Sequence, residues 1–300
     1  MASAIFAETT NLPGRRAIMS STNPNLRHDT GCDSGFGPAL RRWRGERRLS
    51  QLELALAAGV SQRHVSFVES GRSRPSRDMV LQLAEAMDLP LRQRNQLMVA
   101  AGFAPTYAQR DLGDPDMAAV NQALDLILTH HEPNPALVLD RTWNMLRSNH
   151  AMTRMLGLLG DPDVRWTRVC GNGPRNLLKL TFHPEGARPF IRNWEEVAHL
   201  LLWRSRREAD ATANAELHAV IDEILEYDGI PTEWQALDHP DGLPAPILPV
   251  EYGIGEVRLS LFSMLSSFGT PLDVTAEEVR VETFFPADAA SRHLLETLAG

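Results

Sequence analysis

Residues 50 to 70, SQLELALAAGVSQRHVSFVES, restrict the fold of this chain more than any other stretch. Ser50-Gln-Leu-Glu53 is a capping box, in which the Ser50 oxygen takes a first-turn backbone N–H and Glu53 reaches back to the cap, so a helix starts here. Ser61 opens a second helix in the same manner. Two short helices so close in sequence must cross tightly. That crossing needs a side chain no larger than alanine at the contact and a turn residue that tolerates positive φ, and Ala55 and Gly59 occupy those positions. Leu54, Ala58, Val60, Val65 and Val68 then supply the apolar seam between the two helices. Each choice alone is weak evidence; together, over twenty residues, they specify a helix-turn-helix.

The polar positions follow from the buried ones. With Val65 and Val68 turned inward, Gln62, Arg63, Ser66 and Phe67 face outward from the first turns of the second helix, with His64 beside them. Gln pairs with adenine and Arg with guanine through two hydrogen bonds each; Phe67 either packs on a thymine methyl or packs internally. Gln51, at the start of the preceding helix, is placed to hold a phosphate, and Arg72, Arg74 and Arg77 in SGRSRPSRD are candidate phosphate clamps. Arg41, Arg42, Arg44, Arg47 and Arg48 read mainly as solvated helix surface.

Charge supports this reading once the chain is divided. The whole is acidic, 30 Lys+Arg against 38 Asp+Glu. Between Arg41 and Arg94, however, 11 Arg face 6 acids, net +5, while residues 106 to 300 carry net −13. Such asymmetry marks a nucleic-acid-binding module joined to something else. Hydrophobic residues at 43% can bury a core, and no apolar run of about 18 residues calls for a membrane span. The N-terminus lacks a signal-peptide pattern, so a cytoplasmic location is expected. Cys32 and Cys170 read as free thiols, with no disulfide or structural zinc.

Residues 1–35 read as a flexible tail, with Met19 as an alternative start; 36–105 as a five-helix domain closed by Gly102; 106–117 as a linker; and 118–300 as a second domain. Ser76 caps a further N-terminal helix. In the second domain, Val120, Ala123, Leu124, Ile127 and Leu128 define an amphipathic helix, and Asn193-Trp-Glu-Glu196 reads as a capping box. Ala136–Asp140 and Thr142–Arg147 suggest strands, as do the alternating runs Val257-Leu259-Leu261 and Val279-Val281-Thr283-Phe285. The expected class is an all-α DNA-binding domain followed by an α+β domain.

No HExxH, GxSxG, GxGxxG or P-loop motif occurs, so neither catalytic residues nor a cofactor are expected. In His130-His131-Glu132 the adjacent histidines point about 100° apart on a helix, a poor chelate, and no metal is expected there. Trp143, Met145, Asn149, His183, Trp194, Phe262 and Met264 are candidate ligand-lining residues, with core packing or surface hydrogen bonding as the alternative for each.

The stretch Leu40 to Tyr107, carried by LRRWRGERRLSQLELALAAGVSQRHVSFVESGRSRPSRDMV and LPLRQRNQLMVAAGFAPTY, resembles the XRE family of Cro/repressor-type helix-turn-helix regulators. Together with PALVLDRTWNMLRSNHAM, HPEGARPFIRNWEEVA and FGTPLDVTAEEVRVETFFPAD, the chain is similar to MmyB-type regulators. The resemblance implies a five-helix DNA-binding domain and a PAS-like C-terminal domain that accepts a small hydrophobic or fatty-acid-like ligand. The expected function is a non-enzymatic transcriptional regulator, acting as a homodimer on a double-stranded operator. Two alternatives stand beside it: a second domain serving only dimerisation or protein interaction, and an enzyme domain acting on the molecule it binds.

Overall fold

The computed structural model describes residues 35–236 and 247–299. The expected tail, the alternative start at Met19 and Cys32 lie outside the described residues. The N-terminal part is five helices, α1 Phe36–Glu46, α2 Gln51–Ala57, α3 Gln62–Glu69, α4 Arg77–Ala86 and α5 Leu91–Ala100. Their starts are those the caps dictate. Ser50 and Glu53 form the full capping box, and the Ser61 and Ser76 hydroxyls accept from His64 N and Met79 N. A cap of this type is worth about 1 kcal/mol.

Ala55 is 1% exposed where α2 crosses α3, and Gly59 sits at φ 62°, with Val60 N bonded back to Ala55 O at 2.9 Å. Gly37 is required for a second close approach: a Cβ there would lie 2.4 Å from Glu69 O, so α1 rests directly on the end of α3. Leu40, Trp43, Leu54, Val65, Val68, Leu83 and Leu97 close the core of this domain.

A carboxylate locks the three helices together. The Glu69 side chain is 1% exposed; it accepts from Arg44 Nε at 2.6 Å, Arg44 Nη2 at 3.1 Å and Gln51 Nε2 at 2.8 Å, with Arg41 Nε at 3.7 Å. Arg44 also donates to Leu49 O and Arg47 to Met87 O and Asp88 O. Arg44 and Arg47 are thus structural rather than solvated surface, a correction to the sequence reading that follows from partners 25 to 41 residues away. Burial pushes the Glu69 carboxyl up, but the hydrogen bonds from Arg44 and Gln51 and the charges of Arg44 and Arg41 outweigh it and hold the group below its ordinary range.

The second domain is α+β. In chain order it contains α6 Ala118–His130, β1 Ala136–Leu139, β2 Met145–Ser148, α7 His150–Leu158, α8 Pro162–Cys170, α9 Leu177–Phe182, α10 Trp194–Ala211, α11 Ala215–Leu225, β3 Val250–Ile254, β4 Val257–Ser267, α12 Val274–Glu278, β5 Arg280–Pro286 and α13 Ala289–Ala299. The strands form one antiparallel sheet in the order β2-β1-β5-β4-β3, with Val138 opposite Val281 and Phe262 opposite Phe285. All four residues of β1 are buried because both its faces are covered. Leu137 and Leu139 join Leu259, Leu261 and Phe284 against the helices that follow β2, while Ala136 and Val138 pack with Val281 under Leu124 and Leu128 of α6.

Two local expectations need correction. Asn193 does not cap α10: its amide donates to Pro249 O and accepts from Glu251 N, tying the helix start to β3 instead. Thr142 to Asn144 are not strand but a turn folded around the Asp140 carboxylate, which accepts from Thr142 N, Thr142 Oγ1 and Asn144 N.

Breaking the Glu69 hub leaves the partly buried Arg44 guanidinium without its anion. Glu69→Ala is expected to lower unfolding free energy by about 3–5 kcal/mol, read from the denaturant midpoint; an unchanged midpoint contradicts the assignment. Because the folded-state pKa is depressed, this stabilisation is complete above the ordinary glutamate value of about 4.3 and is lost as pH falls through the lower folded value. Glu69→Gln should therefore flatten the acid limb of the wild-type stability profile below about pH 4.

Candidate functional site

The candidate DNA-contacting residues of α3 differ in exposure. Gln62 and Arg63 are exposed, and Ser66 and Phe67 are half-buried beside them. His64 turns partly inward, its Nε2 enclosed and without a partner. The Arg63 and Arg72 guanidinium carbons lie 5.0 and 5.8 Å from the centroid of the Phe67 ring. Arg74 is exposed on the same loop, whereas Arg77 donates to Thr106 Oγ1 at 3.1 Å. Gln51, expected at a phosphate, gives its amide N–H to Glu69.

The seven candidate ligand residues are divided by the sheet. Trp143, Met145 and Trp194 belong to the helix-covered side, whereas Phe262 stacks on Phe285 at 5.5 Å on the opposite face, along which Met264 is 55% exposed. Trp143 is buried at φ 68° beneath Arg280, whose guanidinium carbon is 5.2 Å from its ring centroid. Asn149 uses its whole amide on the backbone, accepting from Ala136 N and Met152 N and donating to Asn134 O and Leu128 O. His183 Nδ1 accepts from Glu185 N, and the ring meets Tyr227 edge-on. Trp194 lies between Arg188, 4.1 Å from its centroid, and Trp234, stacked at 5.4 Å; His199 stacks on Trp234 in turn.

Several polar atoms within this core lack partners: Trp143 Nε1, Trp194 Nε1, His199 Nε2, Ser205 Oγ and Glu282 Oε2. Burial pushes the Glu282 carboxyl up, so it resists ionisation. Trp234, His199, Ser205 and Glu282 carry no local sequence signal; only the fold brings them to one side of the sheet. A groove of about 490 Å³ lined by Arg110, Met117, Phe268 and Leu272 and a cavity of about 200 Å³ lined by Gln93, Arg141, Glu208, Glu278 and Arg280 lie elsewhere. Neither is lined by any of the seven candidates.

That second cavity marks a polar seam between the two domains. Leu91 N, in the first turn of α5, donates to Glu277 Oε2 at 2.7 Å, and Arg92 pairs bidentately with Glu278 at 2.6 and 2.7 Å. Gln93 donates to Thr212 O. From α12 the contacts pass into β5, where Arg280 meets Glu208 at 2.5 Å, Asp140 O at 3.1 Å and the Trp143 ring. The expected linker is held on both sides: Asn95 binds Thr106 N, Tyr107 N and Tyr107 O, and Arg110 pairs with Asp273 at 3.0 Å.

Among the described residues no group of three His, Cys, Asp or Glu side chains has the spacing to hold a metal ion. His131 faces Phe284 O and Phe285, and Glu132 bonds Ala151 N and Arg154. Burial pushes the Cys170 thiol up, away from the reactive thiolate. No described helix is long and apolar enough to cross a membrane.

A helix-turn-helix family model matches residues 40–93, and the model of the MmyB-like transcription regulator ligand binding domain matches residues 120–298. No curated protein matches the chain. A solved structure of an RNA-binding light-oxygen-voltage receptor aligns over 89% of this chain at 10% identity with a TM-score of 0.23, too low to carry an argument; the chain spans 62% of that receptor's length. The exposed α3 face, the hub beneath it and these matches lead to one conclusion: the chain belongs to the MmyB-like transcription regulators, which join a helix-turn-helix DNA-binding region to a ligand-binding domain.

Proposed function

We propose that this chain binds a double-stranded operator as a homodimer and that a small hydrophobic, fatty-acid-like molecule in its second domain controls that binding. One observation carries the first half: Gln62 and Arg63 stand exposed on a helix whose pose is already set by the Glu69 hub. A helix of eight residues reads only a few base pairs. Two copies on half-sites about 34 Å apart supply the remainder. Arg72 and Arg74 would neutralise phosphates, and the net −13 of residues 106 to 300 turns the second domain away from the duplex.

The sensing half is supported by an apolar core with unmatched polar atoms. Trp194, His199 and Ser205 offer N–H and hydroxyl groups among Leu201, Leu202, Leu259 and Leu261, the mixture that an amphipathic ligand with one polar head requires. The seam supplies the coupling. A ligand that shifts β5 or the Trp143 turn also shifts Arg280, Glu277 and Glu278, and these hold the start of α5. A tenfold difference in ligand affinity between two domain arrangements provides about 1.4 kcal/mol.

In binding-site selection from random duplexes, Gln62→Ala and Arg63→Ala should each relax preference at one position, at a cost of about 1–3 kcal/mol. Arg74→Ala should weaken all sequences evenly and reduce the salt slope by about one. An unaltered consensus in the α3 variants sinks the reading of α3 as the recognition helix. Arg92→Ala, which frees α5 from Glu278, should preserve the selected consensus but change operator affinity severalfold. If Arg92→Ala binds the operator with wild-type affinity, the seam does not couple the domains.

A further inference from the structure

The arginines Arg63 and Arg72 come from different elements, one from the first turn of α3 and the other from the loop after it, yet both rest near a single ring. Their guanidinium carbons are 5.0 and 5.8 Å from the Phe67 centroid, within the range at which a cation is attracted to an aromatic face. Arg63 and Phe67 are four residues apart and so share one face of the helix. The backbone of Phe67 brings in the second arginine: its carbonyl accepts from Arg72 N at 2.8 Å, Ser73 N at 3.2 Å and Ser70 Oγ at 3.2 Å. The chain is thereby folded back after α3, and Arg72 returns alongside the ring. Among the described residues neither arginine has a carboxylate partner.

We infer that Phe67 is a positioning residue for DNA recognition: its ring is the shelf that holds Arg63 toward a base edge and Arg72 toward a phosphate. This rests on the reading of α3 as the recognition helix. Arginine has many rotamers, and a bidentate contact to guanine accepts few of them. Stacking removes the unproductive ones before DNA arrives. Two cations held near one ring also repel each other, and an anion between or beside them relieves the repulsion, which suits a phosphate backbone. A ring used in this way is not available as a reader of a thymine methyl, and Phe67 affects sequence preference only through Arg63.

The test uses the full chain with Phe67→Leu, which keeps apolar volume but removes the π face, and Phe67→Trp, which keeps the face. In the free protein, the Arg63 and Arg72 δ-proton resonances should be shifted upfield by the ring current, and Phe67→Leu should abolish both shifts. Phe67→Leu should weaken operator binding about tenfold and relax preference at the base pair that Arg63→Ala also relaxes, with a shallower salt slope. Phe67→Trp should stay within about threefold of wild type and keep the consensus. Loss of preference at a different, T·A position with the Arg63 base retained would make Phe67 a base reader and overturn the proposal, as would loss of the consensus in folded Phe67→Trp. If the wild-type chain shows no sequence preference at all, the recognition-helix reading fails, and the ring-current shifts still decide whether the shelf exists.

Discussion

The DNA-binding half of this molecule depends on one buried carboxylate. Glu69, the last residue of α3, is removed from water and surrounded by Arg44 and Arg41 of α1 and Gln51 of α2. The carboxylate is worth burying only if all its partners are present, since a half-paired ion in the interior is worse than none. Pairing with α1 and α2 at once ties the end of α3 to both helices. The close approach at Gly37 and the tight crossing at Ala55 leave no slack around it. The outward face of α3 consequently stands on a braced helix, and in the proposal above the Phe67 ring extends the same preorganisation to the side chains that reach outward.

The link to the second domain is built from different material. The seam is polar and charged, with Leu91 N, Arg92 and Gln93 set against Glu277, Glu278 and Thr212. Such contacts are directional and exchange readily with water, so they suit two arrangements of similar energy better than a hydrophobic weld does. α5 packs on α4 and α1, so the second domain meets the helical domain through α5. The β5 strand connects seam and core: Glu277 and Glu278 precede it, Arg280 begins it, and Glu282 is buried in the second domain.

What could be read from the sequence divides along the range of the interaction. The Ser50 box, the Ser61 and Ser76 caps and the Gly59 turn each act within a few residues, and the helices start where those residues place them. The apolar run of β1 was visible as a strand, but its burial on both faces depends on α6 on one side and on the helices that follow β2 on the other. Arg44 and Arg47 read as surface because nothing near them in the sequence announces Glu69 or the carbonyls of Met87 and Asp88. Asn193 shows the converse: a perfect local pattern overridden by the start of β3, where Pro249, just before the strand, and Glu251 within it claim the side chain. The candidate ligand residues were the least legible. Apolar character marks Met145 and Phe262 alike, and only strand register places them on opposite faces of the sheet.

The central claim is that the occupancy of the second domain sets the affinity of the first for DNA. Operator affinity measured on one preparation of the full chain, before and after its bound hydrophobic molecules are extracted under native conditions, tests this most directly, with mass spectrometry identifying what was removed. The account predicts a released amphipathic molecule and an operator affinity that changes at least fivefold and returns when that molecule is added back. An affinity unchanged by removal and restoration of the bound molecule, in protein that stays folded throughout, would contradict it.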